Sequence, residues 1–115
     1  GGIYLNFISM ILSWINLISF IILAQGIRII SGKYTPIFVK EKLEGTMLQS
    51  WRKIRFIACV LEAIGFYSFT LSENLNLDVK IKLIISIAGL ILMFIGGIIT
   101  IRNNIKKIGR WSSSI

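Results

Sequence analysis

The chain has no histidine, one proline (Pro36), one cysteine (Cys59) and only 5 acidic residues against 13 basic ones. Without histidine, a His-based triad, the usual zinc sets and imidazole ligation of haem are out of reach. A lone cysteine inside an apolar run builds no disulfide framework and says nothing of redox compartment. The acids (Glu41, Glu44, Glu62, Glu73, Asp78) are too scattered for a paired-carboxylate or magnesium site. There is no Walker lysine motif, and Gly96-Gly97 sits within an apolar run, where it reads as a packing feature. These absences point away from an enzyme, and nothing in the sequence calls for a cofactor or metal.

Apolar residues are plentiful. They make up 55% of the 115 residues, and the mean hydropathy is +0.79, outside the range of ordinary globular domains. Two apolar runs with little charge, 3–30 and 83–101, and a third carrying Glu62 at its centre, 56–71, each approach the roughly 20 residues a helix needs to cross a bilayer. The expectation is an all-α membrane protein with one membrane domain over 1–115 and transmembrane helices at about 4–27, 55–72 and 82–101. The first run lacks a basic n-region and a small-residue cleavage site, so it does not read as a signal peptide. Gly1-Gly2 in place of an initiator methionine reads as processing or as added residues.

Charge sets the expected orientation. Residues 1–27 carry none. The first connection, 28–54 with Arg55 at its edge, holds Arg28, Lys33, Lys40, Lys42, Arg52, Lys53 and Arg55 against Glu41 and Glu44. The second, 73–81 with Lys82 at its edge, is balanced, and the tail 102–115 holds Arg102, Lys106, Lys107 and Arg110 with no acid. Loops rich in Lys and Arg stay cytoplasmic. A multi-pass protein of the cell membrane follows, its N-terminus outside, the 28–54 loop and 102–115 tail cytoplasmic, and the 73–81 loop external. The net charge of +8 is then explained by loop retention and by anionic headgroups at the cytoplasmic face, at ~1 kcal/mol per base, rather than by nucleic acid.

Each apolar run carries a small or polar stripe at helical spacing. In the first run it is Asn6, Ser9, Ser13 and Asn16, with Ser19 at its edge. The second has Ala58, Glu62, Gly65 and Ser72, and the third Ser86, Gly89, Met93, Gly96 and Thr100, continued by Asn103. Small residues let helices approach and hydroxyls or amides bond across the contact, so a compact bundle with all three stripes inward is the simplest arrangement. Glu62 stands out. An ionised carboxylate at that depth costs at least several kcal/mol, and no base lies at matching depth in the spans. It reads as a hydrogen-bonded carboxyl on Asn16, Ser13 or a partner chain, or as a proton- or cation-responsive site. A single titratable group favours the first, since relays use several in series.

In the first loop, Thr35-Pro36 reads as a helix start, Thr35 capping and Pro36 in the first position. Leu43, Met47, Trp51 and Ile54 then form an apolar stripe among Lys40, Glu41, Lys42, Glu44 and Arg52. That is the pattern of an interfacial amphipathic helix between the first two spans, or of a docking surface for a soluble partner. Trp51, Tyr4, Tyr34 and Trp111 read as interfacial anchors, with Trp14 too deep for that role. Asp78 is a candidate cap for the last helix.

Gly32-Lys-Tyr-Thr-Pro36 followed by Trp51-Arg-Lys-Ile-Arg55 and a span with Gly65 at its centre resembles the SdpI-type bacterial immunity family, in which a glycine-arginine-threonine-proline turn precedes a tryptophan, basic residues and a membrane helix. Here Lys33-Tyr34 replaces the basic-threonine step, the Thr-Pro to Trp gap is longer, and the family's usual histidine is absent. A layout shared by small three-span bacterial membrane proteins fits as well. The resemblance implies self-protection against a membrane-active peptide or toxin, with Thr35, Pro36, Trp51 and Arg52 at the matching positions. The alternative is a subunit of an oligomeric channel, transporter or other membrane complex with Glu62 at a pore or helix interface. Three helices enclose little space, so that reading requires a homo-oligomer or a foreign subunit.

Overall fold

Three glycines with left-handed backbone punctuate the described chain and mark the ends or starts of its helices. A computed structural model describes residues 2–74, 76 and 78–112. Helix α1 (Gly2–Ile30) ends where Gly32, at φ +80°, lets the chain reverse. There the Gly32 N–H donates to the Ile29 carbonyl at 3.2 Å and the Lys33 N–H to the Arg28 carbonyl at 3.0 Å, the paired bonds of a Schellman ending. A single short helix, α2 (Ile37–Lys42), follows, and Gly45 at φ +63° opens α3 (Gly45–Asn74). Helix α4 (Val79–Ile108) begins with Asp78 in the capping position and ends at Gly109, φ +72°. The Asp78 side chain makes no capping bond. No strand occurs among the described residues.

The loop therefore differs from the single interfacial helix expected from Thr35 to Ile54. Leu43, just past the end of α2, is extended and its side chain is buried, while Met47, Trp51 and Ile54 fall in the first turns of α3. Pro36, not Thr35, occupies the residue before α2, and no side-chain cap forms there. The reason is packing: Val39, Leu43 and Trp51 turn inward with Ile29 and Ile108 into one buried cluster, flanked by Tyr34, Phe38 and Leu48. Breaking the helix at Leu43–Glu44 is what lets both halves face that cluster. Met47, on the other side, stays exposed.

The helix packing also departs from a closed bundle. Helix α3 is central, with α1 and α4 antiparallel to it on either side, and α1 and α4 scarcely meet. The result is an elongated molecule of 55 × 26 × 22 Å. Glycines set the α3–α4 approach. A Cβ on Gly65 would lie 2.6 Å from the Gly89 carbonyl oxygen, and one on Gly89 2.7 Å from that of Gly65. Ser72 and Ser86 extend the seam, their hydroxyls 2.7 Å apart. On the other side of α3, the Ser19 hydroxyl donates to the Ala63 carbonyl at 2.8 Å, Asn16 meets Thr70, and Gly26 sits against Cys59.

Two helical stretches, Gly45–Ser72 and Val79–Ile108, are long and apolar enough to cross a membrane, while the described apolar stretch in α1, Asn16–Ile30, is shorter. Their large side chains face outward. Phe94 is 72% exposed and Ile84 67%, with Phe20, Leu83 and Ile57 likewise exposed.

Candidate functional site: a polar cleft between α3 and α4

Glu62 sits on the face of α3 that meets α4, because it shares the small-residue stripe with Ala58 and Gly65. The close approach at Gly96, where a Cβ would lie 2.6 Å from the Glu62 Cγ, holds the stem of that side chain against α4. Thr100, one turn further along α4, presents its hydroxyl to the carboxylate, with a long Oγ1 to Oε1 distance of 3.5 Å. The same hydroxyl accepts a 2.8 Å bond from Nη1 of Arg55. One hydroxyl thus links guanidinium and carboxylate. Arg55 precedes Glu62 by seven residues, two helical turns on the same face, about 10 Å along the axis. The expectation that no base lies near Glu62 is therefore corrected: Arg55, two turns earlier on α3, is linked to it through Thr100. Its spacing was the signal that could have found it.

Asn16 and Ser13, the other expected partners of Glu62, fall elsewhere. Asn16 accepts from the Thr70 hydroxyl, two turns along α3 from Glu62 and on the α1 side. The side chain of Ser13 lies outside the described residues.

Around this link lies a cleft of about 250 Å³, lined by Arg55, Glu62, Gly97, Thr100, Asn104 and the tail residues Trp111 and Ser112, with Ile101. Gly97 is the open wall, since a Cβ there meets nothing within 4 Å. The tail reaches the cleft because Gly109 turns it back. Arg110 then stacks 3.8 Å from the Phe38 ring centre, and the Trp111 carbonyl accepts from Asn104 Nδ2 at 3.2 Å. Chemically, the cleft offers carboxylate lone pairs and guanidinium donors side by side on an otherwise apolar wall. Its charges complement a basic or zwitterionic group.

The positions matching the immunity-type motif lie at the base of the molecule and serve its folding. Trp51 is fully buried, so it is not an interfacial anchor. Its Nε1–H donates to Asn104 Oδ1 at 2.9 Å, and Asn103 Nδ2 donates to its carbonyl at 3.2 Å. Arg52 Nη2 donates to Thr35 Oγ1 at 2.8 Å, with Nη1 3.4 Å from where a Gly32 Cβ would stand. Pro36, the residue before α2, is buried. Thr35 and Arg52 are thus brought together, while Trp51 points to α4. The Asn103-Asn104 pair, which clamps Trp51, was visible only as a continuation of the α4 stripe.

Comparison with protein-family models, with curated proteins and with solved structures finds no match for this chain.

Proposed function

We propose that this chain is a small, non-enzymatic integral membrane protein that crosses the bilayer three times, with the N-terminus outside and the C-terminus cytoplasmic. Its role on this reading is to hold a membrane-inserted peptide or partner helix at the α3–α4 cleft, as in self-protection against a membrane-active toxin. Membrane insertion is supported by the outward display of Phe20, Ile57, Ile84 and Phe94, since aqueous surfaces rarely carry large contiguous apolar patches. Orientation is supported by the gathering of Lys40, Lys42, Arg52, Lys106, Lys107 and Arg110 around α2 and the α3–α4 ends nearest it. The resemblance to the SdpI-type family supports the immunity role, though the matching residues are structural here and the cleft is the recognition surface. The observation that carries the binding role is Glu62. It is a half-buried carboxylate with one long side-chain contact, open to a cleft whose wall at Gly97 is free of neighbours.

Bacteria expressing the chain and challenged with a panel of membrane-active peptides are expected to survive at least one of them. Glu62→Gln and Gly97→Phe are expected to cut that protection about tenfold or more, since hydrogen bonds to charged groups are worth ~1.5–3 kcal/mol. Both variants should still insert. Full protection by both variants would remove the cleft from the account, and protection against none of the panel would count against immunity.

A second reading, a subunit of an oligomeric channel or transporter, draws on the open outer side of the cleft, which a second copy or a foreign helix would close. The mass of the protein extracted in lipid nanodiscs separates the two. A monomer favours interception, and a stoichiometric assembly favours the subunit reading. In that case Glu62→Gln should shift the pH dependence of conductance, and an unchanged pH profile would make Glu62 a packing residue.

A further inference from the structure

A second groove lies between α3 and α4 and shares no residue with the Glu62 cleft. Its volume is about 340 Å³, and Ile54, Ile99, Arg102, Asn103, Lys106 and Lys107 line it. Residues 99, 102, 103, 106 and 107 form one stripe of α4 at helical spacing, so three bases crowd one face with no acidic side chain in the lining. Like charges at such spacing repel within a helix. The Lys107 ammonium donates to Ser50 Oγ at 2.6 Å, and burial first, then neighbouring Lys106, holds it below the ordinary lysine range. Beneath the bases, Asn103 Oδ1 is buried without a hydrogen-bond partner. The other end of the groove is apolar. From Ile99 to Lys106 is about 10 Å along the helix, the separation between a phosphate and the upper acyl chain of a lipid in the same leaflet.

We propose that this groove binds one anionic phospholipid of the cytoplasmic leaflet, its phosphate against Arg102 and Lys106 and an acyl chain along Ile54 and Ile99. The site rests on the membrane reading above. It adds a stoichiometric ligand with a defined place, whereas loop retention needs only diffuse attraction. Charge complementarity selects the anion, and the Ile54–Ile99 wall selects an amphipathic one over a soluble phosphate. Basic pockets between spans at the cytoplasmic side commonly hold such headgroups.

Native mass spectrometry of the full chain released from vesicles tests this, with phosphatidylglycerol, phosphatidylcholine and inorganic phosphate offered separately. One phosphatidylglycerol is expected to stay bound per chain, at least tenfold more persistently than phosphatidylcholine, with no retention of inorganic phosphate. Arg102 and Lys106 are exposed, so Arg102→Gln with Lys106→Gln should leave the fold intact. It should weaken retention about tenfold or more, at ~1 kcal/mol per base. Lys33→Gln with Lys53→Gln removes the same charge outside the groove and should leave retention unchanged. Equal retention of phosphatidylcholine, equal loss in both double variants, or saturable binding of phosphate alone would each overturn the site. Insertion is read separately by resistance to alkaline carbonate. A chain that inserts without lipid preference overturns only the lipid site, while one that does not insert overturns the membrane reading itself.

Discussion

Trp51→Ala is expected to collapse the base of the molecule, at a cost of about 3–5 kcal/mol for an aromatic removed from a core. The indole is 0% exposed and fills the cluster that joins α1, α2, α3 and α4. Its loss also leaves Asn104 Oδ1 buried without its donor, because the indole N–H is the group it accepts from. Trp51→Phe separates the two effects. Packing is largely kept, and the cost should fall to the ~1–3 kcal/mol of one unpaired buried acceptor. Unfolding in a titration of denaturing detergent, followed by intrinsic fluorescence of the remaining tryptophans, measures both. A Trp51→Ala protein as stable as the parent would mean that the cluster does not hold the loop to the helices.

The second large effect is expected at the α3–α4 crossing. Gly65→Ala and Gly89→Ala each push a Cβ to within 2.6–2.7 Å of the opposing carbonyl oxygen. Backbone cannot yield as a flexible side chain does, so each should destabilise the helix pair by about 1–3 kcal/mol. Isoleucine at either site should prevent stable pairing. Gly97→Ala is the internal comparison. It makes the same chemical change on α4, the helix of Gly89, where nothing lies within 4 Å of the new carbon, and it should be neutral or stabilising by up to ~1 kcal/mol from helix propensity. A uniform response of all three would show that glycine content, not the crossing, governs stability. The same contrast explains why Gly97→Phe suits a test of the cleft: the ring fills the cavity without parting the helices.

Much of the α3–α4 seam was legible from residue spacing. Ala58, Glu62, Gly65 and Ser72 share one helical face, as do Ser86, Gly89, Gly96 and Thr100, and the structure sets these two faces together. Periodicity identifies a face but not its partner. It therefore did not reveal that α3 would be central, nor that Asn16 would meet Thr70 rather than Glu62. The loop was harder for a related reason. Leu43, Met47, Trp51 and Ile54 fit one amphipathic helix, and only the demand of a tertiary cluster breaks that helix at Leu43–Glu44 and turns Trp51 inward. Thr35 looked like a cap because threonine before proline is a local signal. Its hydroxyl instead accepts from Arg52, 17 residues away. Arg55 was counted among the bases at the edge of the loop, yet its side chain reaches Thr100 on α4, as a long, flexible basic side chain can.

Site-specific labelling of single cysteines in intact cells tests the central claim, a three-span membrane protein with its basic loop and tail inside. In a Cys59→Ser background, Gly2→Cys and Asn76→Cys are expected to react with a membrane-impermeant maleimide from outside. Lys40→Cys, on α2, should react only after the membrane is opened. Labelling of Lys40→Cys and Asn76→Cys from the same side, or of Gly2→Cys only from the side opposite Asn76→Cys, would contradict the account.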